Sequence, residues 1–443
     1  MRKGMEKFKR FLKNKQYLIS FVFLCLLISS IFLFNSKTEK GGGFEKVKNP
    51  NVILITLETV RSDHTPCYGY RRNTTPNLCE VAEDGVLFEN AYAQGTHTRM
   101  SLPTLITSRL PSAVGMRNYT LPKGMETLSH VLNEVNYTTL HYNSPFSEGF
   151  QRRIYINNFT EKRVQKDLNK FLLWAHIWDS HTPFAPREEY RKWDNLKENK
   201  TELEENWRLE VGDEEIKNLY DGNLLQADSV TGKFLEELKE RGIYDSSLII
   251  ITSDHGTFLD HERFGHWNKP YEEQIHVPLV IKFPENKWQG KRIEQPVRHI
   301  DIVPIIYDYL NLKDLPETSG KSLIPTIRGK NLNLKIVAGK NPAEDWTVRQ
   351  DEYKYFLGNV FEACVNDRTP KNEELYNLAE DPEENENIVT EKVERGEKMK
   401  DSLCKIYERG LSEREAKEGN FSERIKHKEK LIRLGYYQRF GGL

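Results

Sequence analysis

NVILITLE at 51–58 and SLIIITSDH at 247–255 decide the fold. Each is a short, unbroken apolar run rich in β-branched residues, the pattern of a strand covered on both faces. Each also delivers polar side chains at its carboxyl end, Glu58 in the first and Asp254 with His255 in the second. Open α/β sheets build their sites at that end. Working outward, TTLHY at 138–142, KFLLWAHI at 170–177 and PLVIKF at 278–283 read as further strands. Residues 213–241 place Leu224, Ala227, Phe234 and Leu238 at helical spacing and stop at Gly242, and a second helix is predicted over 302–310. The alternation predicts a sheet with helices on both faces.

Between these runs lies QGTHTRMSLPTLITS at 94–108, a hydroxyl-rich loop leading into an apolar segment. Ser101 reads as an N-cap, with Pro103 in the first helical turn. Ser and Thr before a helix are usually caps and nothing more. Here, however, two strand ends supply carboxylates and an imidazole, and a hydroxyl such as that of Thr98 becomes a competent nucleophile once a metal lowers its pKa.

The N-terminus has a different character. Residues 1–16 are rich in Lys and Arg and precede an apolar run at 17–34, long enough to cross a bilayer as a helix. The basic flank predicts a cytoplasmic N-terminus and an uncleaved signal anchor, with the remainder outside. Residues 35–49 contain GGG and read as a linker. The chain then divides into a catalytic domain at 50–330, a C-terminal subdomain at 331–390 and a charged helical tail at 391–443, the last read as solvated. A net charge of −1 offers no basic excess and argues against a nucleic-acid partner.

Outside the apolar run the cysteines are Cys67, Cys79, Cys364 and Cys404, which allow three pairings. The two local ones, Cys67 with Cys79 and Cys364 with Cys404, are the expectation. Six N-x-S/T sequons, at Asn73, Asn118, Asn136, Asn158, Asn199 and Asn420, are compatible with glycosylation in a secretory setting.

Several stretches together resemble the sulfatase family of the alkaline phosphatase superfamily: NVILITLETVRSDHTPCYGYRRNTTPNL, FENAYA, FLLWAHIWDSHTPFAP, IYDSSLIIITSDHG, FGHWNKPYEEQIHVPLVIKFP, GKSLIPTIRG and EELYNLAEDPEENENI. The resemblance runs over about residues 50–436. It implies an alkaline-phosphatase-like α/β/α sandwich with a mixed central sheet and a small C-terminal α+β subdomain, here preceded by one transmembrane helix.

Departures from the family pattern bear on the chemistry. Where a sulfatase carries two adjacent Asp, a formylglycine precursor in C-x-P-S-R and D-N-G, this sequence has Glu58-Thr59, Thr98 ahead of Ser101, and Asp254-His255-Gly256. Thr does not mature to formylglycine. The Glu, Thr, Asp, His set is similar instead to that of phosphoethanolamine transferases and lipoteichoic acid synthases, which implies Thr98 as nucleophile and Glu58, Thr98, Asp254 and His255 as metal ligands. Such a set of oxygen and nitrogen donors suits Zn or Mn, as one or two ions. The resemblance further implies substrate-binding roles for His181 and His266, with Lys269 and His176 as weaker candidates. Arg61 and Arg99 are candidate cations.

The function expected is cleavage or transfer of a phospho- or sulfo-ester group on an extracellular glycan or lipid, phosphoester preferred. A phosphoethanolamine- or phosphoglycerol-type transferase is one alternative, and an inactive sulfatase-like glycan-binding protein is another of a different class.

Overall fold

The computed structural model describes residues 49–115, 121–122, 124–154, 170–193, 212–259, 264–266, 269–313, 316–370 and 372–418. The membrane-span reading at 17–34 lies outside them. Among the described residues no helix is long and apolar enough to cross a membrane.

Nine strands form one sheet in the order β4-β3-β5-β1-β6-β7-β2-β8, with β9 also on β2. They are β1 (Val52–Leu57), β2 (Val86–Tyr92), β3 (Thr138–Tyr142), β4 (Arg152–Arg153), β5 (Phe171–Ile177), β6 (Leu248–Ser253), β7 (His276–Lys282), β8 (Lys291–Ile293) and β9 (Val297–Arg298). The five strands predicted from apolar runs are all present; β2 was not among them. Strands β4, β3, β5, β1 and β6 are parallel, while β7 is antiparallel to both β6 and β2. This is the mixed sheet expected. It also means that the chain leaving β6 at Asp254 re-enters the sheet at His276 on the same edge.

Side-chain alternation splits the core in two. Val52, Leu54, Leu172, Trp174, Leu248 and Ile250 face one apolar layer, and Ile53, Ile55, Leu173, Ala175, Ile249 and Ile251 face the other. Among the described residues the helices longer than five residues are, in chain order, α1 (Pro76–Asp84), α2 (Thr98–Thr107), α3 (Leu128–Glu134), α4 (Asp213–Glu240), α5 (Ile302–Leu310) and α6 (Val393–Glu418). Apolar residues of α2, α3 and α5 cover the first face and those of α1 and α4 the second. The helices predicted from apolar spacing over 213–241 and 302–310 correspond to α4 and α5.

A second, antiparallel sheet follows, in the order β10 (Ile336–Gly339), β11 (Trp346–Gln350), β12 (Tyr353–Leu357), β13 (Glu373–Asn377). Helix α6 packs on it through Met399, Leu403, Tyr407 and Leu411. The described part of the tail, Val393–Glu418, is therefore not the solvated helix its composition suggested. One apolar residue per turn on a single face is enough to seat it. Both expected disulfides are formed, Cys67–Cys79 and Cys364–Cys404, the second tying α6 to the segment after β12.

The two sheets meet through buried charge as well as apolar contact. Lys354 of β12 lies 3.0 Å from Glu272 and 2.9 Å from Glu384, and Arg349 of β11 lies 3.2 Å from Glu272.

Candidate metal and nucleophile site

Strands β1 and β6 are in register from Val52 opposite Leu248 to Leu57 opposite Ser253. Continuing the alternation by one residue puts Glu58 beside Asp254 on the face covered by α2. Backbone bonds hold both strand ends: the Glu58 amide donates to Ile177 O at 3.0 Å, and the Asp254 amide to Leu57 O at 2.9 Å. Past Glu58 the chain turns at Thr59, whose left-handed backbone (φ 54°) lets its amide donate to Asp254 Oδ1 at 3.0 Å. Gly256 is required after His255, because a Cβ there would stand 1.9 Å from Glu273 O.

Helix α2 begins at Thr98, with His97 as its N-cap. This corrects the expected start. Ser101 is a helical residue whose hydroxyl donates to the Asp254 carbonyl rather than to an amide of its own helix, and Pro103 lies inside the helix. The shift brings Thr98 to the head of the helix, where the first amides have no intrahelical acceptor. Its hydroxyl donates to Glu58 Oε1 at 3.0 Å and lies 3.4 Å from His255 Nε2.

Glu58, Asp254 and His255 are fully buried and bring one donor atom each within 4.8 Å of one another. His255 Nδ1 lies 2.8 Å from Gly256 O, which can only accept, so this nitrogen carries a proton and Nε2 is the one turned inward. Nε2 stands 3.3 Å from Asp254 Oδ2 and 3.5 Å from Glu58 Oε1. Asp254 Oδ2 is buried and takes no hydrogen bond. The electrostatics fit the same donor set. Burial, and then the charge of Glu58, push the Asp254 pKa up to about 7. Burial alone would also raise Glu58, but hydrogen bonds from His176 and His255 hold it well below the usual carboxylate range. Burial opposes a charge on His255, yet Asp254 and Glu58 push its pKa up to about 9. Two buried carboxylates so placed call for a cation between them, and a divalent metal meets that need with nitrogen and oxygen donors.

The remaining predicted residues fall in different places. The His266 ring centroid is 5.0 Å from that of His255 and 5.2 Å from that of His181, so both join the cluster. Burial, then His255 and His181, hold His266 neutral, its pKa lowered to about 2. His181 Nδ1 donates to Thr182 O at 2.5 Å. Lys269 is instead engaged by Glu374 of β13. His176 is fully buried and reaches Glu58 from behind. Arg61 is bound to Asp63 and to Thr257 O. Residues that sequence reasoning did not single out include Ser180, whose hydroxyl donates to Glu58 O, and His299, whose Nε2 lies 3.1 Å from Thr252 Oγ1 and Nδ1 3.3 Å from Ser101 Oγ. Cross-strand register sets these contacts, and no local pattern announces them.

Comparison with known proteins bears on the family and the fold. A family model described as sulfatase matches residues 50–169 and 152–312, and one described as N-sulphoglucosamine sulphohydrolase, C-terminal, matches 261–409. Arylsulfatase K of Danio rerio is 27% identical over 196 residues, 40% of this chain and 35% of that protein, so the chain spans about a third of that relative. An N-acetylglucosamine-6-O-sulfatase of Bacteroides thetaiotaomicron is 21% identical over 493 residues, covering 81% of this chain and 86% of its own. The crystal structure of a phosphonate monoester hydrolase of Agrobacterium radiobacter superposes with a TM-score of 0.64 at 18% identity, covering 82% of this chain and 96% of that one, a likeness of fold.

Proposed function

The chain belongs to the sulfatase family, and within it we propose a metal-dependent ester hydrolase that uses the Thr98 hydroxyl as nucleophile and prefers phosphoesters, on an extracellular glycan or lipid. The observation that carries the reading is the 3.0 Å approach of Thr98 Oγ1 to Glu58 Oε1, inside a buried set completed by Asp254 and His255. These four residues would hold the metal, Zn or Mn by donor type, which when bound supplies Lewis acidity and lowers the pKa of a hydroxyl.

Glu58 Oε1, which accepts the Thr98 hydroxyl, is the group positioned to draw its proton. The Thr98 oxygen attacks phosphorus as the bond to the leaving oxygen breaks, and the leaving group takes the Nε2 proton of His181 in its imidazolium form, Nδ1 staying bonded to Thr182 O. His266, held neutral, donates a hydrogen bond to the transferred group. Water then attacks phosphothreonine, freeing phosphate and Thr98; an acceptor alcohol in place of water makes the protein a transferase.

Phosphorus is preferred because a sulfated threonine has no exit comparable to the elimination of sulfate from a formylglycine hemiacetal. The family model and the names of the relatives favour a second reading, hydrolysis of sulfate esters. A bilayer anchor at 17–34 with an extracytoplasmic catalytic domain belongs to the same proposal. The two disulfides support it, as do exposed Asn73 and Asn136 in their sequons.

The test is turnover of p-nitrophenyl phosphate, bis(p-nitrophenyl) phosphate and p-nitrophenyl sulfate by the full-length protein in detergent with Zn or Mn, alongside Thr98→Ala and intact-mass analysis. The proposal expects metal-dependent phosphoester cleavage, lost at least about a thousandfold in Thr98→Ala, and a phosphoryl adduct on Thr98. Sulfate turnover that survives Thr98→Ala would overturn it. No metal uptake and no turnover would point to a silent glycan-binding protein.

A further inference from the structure

Behind Glu58 a chain of hydrogen bonds runs back into the sheet. Trp174 Nε1 lies 3.0 Å from Thr56 Oγ1, Thr56 Oγ1 lies 2.8 Å from His176 Nδ1, and His176 Nε2 lies 2.8 Å from Glu58 Oε2. All four side chains are at most 1% exposed. The layout follows from strand geometry. β1 and β5 are parallel neighbours with Thr56 opposite His176, so Thr56 with Glu58, and Trp174 with His176, project from one face of the sheet at two-residue spacing.

We propose that His176 is a positioning residue for Glu58, held by Trp174 and Thr56 with its proton on Nε2, so that Oε2 of Glu58 is fixed and Oε1 is the oxygen presented to Thr98 and the metal. The inference rests on the reading of Glu58 as a metal ligand. It extends that reading to residues outside the ligand set.

The polarity of the chain leaves little choice. An indole N–H only donates, so Thr56 Oγ1 accepts from Trp174. The Thr56 hydroxyl proton is then directed to His176 Nδ1, which accepts, and the ring proton sits on Nε2 facing the carboxylate. The opposite tautomer would have Thr56 Oγ1 accept from both neighbours, leaving its own proton without an acceptor in this chain of bonds, and bring the bare lone pair of Nε2 within 2.8 Å of a carboxylate oxygen. Both effects cost energy among fully buried side chains. Whatever the charge of the ring, Nε2 carries a proton.

The consequence for Glu58 is a division of labour between its oxygens. Oε2 is occupied by His176, while Oε1 stands 3.0 Å from Thr98 Oγ1 and 3.5 Å from His255 Nε2. A carboxylate pinned at one oxygen presents the other at a fixed angle, and supporting groups of this kind typically change metal affinity about 10- to 100-fold when removed. The position also explains why His176 is not a substrate contact. Trp178 stacks edge-on against it with ring centroids 4.6 Å apart, and its polar atoms are both engaged within the sheet.

The experiment combines metal binding with a direct reading of the tautomer. Zn and Mn affinities are measured by calorimetry on wild type, His176→Ala, His176→Gln, Thr56→Val and Trp174→Phe, and nitrogen-15 spectra of labelled histidine report which ring nitrogen of His176 is protonated. Expected are a 10- to 100-fold weaker metal affinity in His176→Ala, partial recovery in His176→Gln through its amide N–H, and a smaller loss in Thr56→Val with Nδ1 and Nε2 signals converging. KM is expected to change less than metal affinity in each. Should His176→Ala fail to fold, Thr56→Val and Trp174→Phe, which keep shape and remove one bond, still decide the matter. A proton found on Nδ1 with none on Nε2 in the wild type overturns the inference, as does His176→Ala binding metal as tightly as wild type while Glu58→Gln loses it. If wild type and Glu58→Gln bind metal alike, the ligand reading itself falls and the inference falls with it.

Discussion

Glu58 and Asp254 stand side by side at the carboxyl ends of two hydrogen-bonded parallel strands, both fully buried. Without a cation their charges oppose each other. Chelation of bound metal is therefore expected to destabilise the fold. At a metal concentration of about a hundred times Kd, linkage gives a contribution of about 2.7 kcal/mol. Differential scanning fluorimetry with and without EDTA reads it. Asp254→Asn should lose the metal response and melt above the chelated wild type, because one buried charge is gone; an Asp254→Asn protein that still gains stability from Zn or Mn would remove Asp254 from the ligand set.

Asp228 of α4 supplies a pH dependence far from the ligands. It accepts from the amides of Asn77 and Leu78, at 2.8 and 3.0 Å, at the head of α1. Burial nonetheless pushes its pKa up to about 6 from 3.8. A carboxyl whose folded pKa is raised favours the fold most below pH 3.8, and that advantage is lost as pH rises through 6. The loss is about 3 kcal/mol at most. The Tm difference between wild type and Asp228→Asn should fall across this window and be flat above pH 7.

Lys354 sits between Glu272 and Glu384, with 1% of its side chain exposed. Lys354→Met would leave two carboxylates facing each other at the junction of the sheets. A loss of about 3–5 kcal/mol is expected in urea denaturation. Adding Glu384→Gln should recover part of it; full independence of the two substitutions would show that the groups are not coupled.

The Cys364–Cys404 bridge closes a loop with 40 residues of sequence separation. Replacing both with Ser is expected to cost about 4 kcal/mol by loop entropy. Limited proteolysis should then cut ahead of α6 sooner than in wild type, since the helix is otherwise seated by one apolar residue per turn.

Much of this molecule can be read from local pattern. β1, β5 and β6 are buried on both faces and therefore appear as unbroken apolar runs, and the ligand candidates Glu58, Asp254 and His255 follow directly at two of their ends. β2 escaped because Glu89 and Asn90 interrupt it, near a register shift between Phe88 and Ala91. Helix α6 looked solvated because charge dominates its composition while Met399, Leu403, Tyr407 and Leu411 recur only every fourth residue. Ser101 was misread as a cap because the helix starts three residues earlier, at Thr98, for the sake of contacts with β6 that are distant in sequence. The role of His176 depends on the pairing of β5 with β1, which no window of sequence contains.

The reversal of direction between β6 and β7 has a consequence for how such an enzyme diversifies. Because the excursion from Asp254 to His276 starts and finishes at one edge of the sheet, with Gly256 held on Gln274 near its two ends, residues can be inserted or deleted between those points without re-threading a strand. Changes in the length of this one connection would carry His266 with them and leave Glu58 and Asp254 at their strand ends.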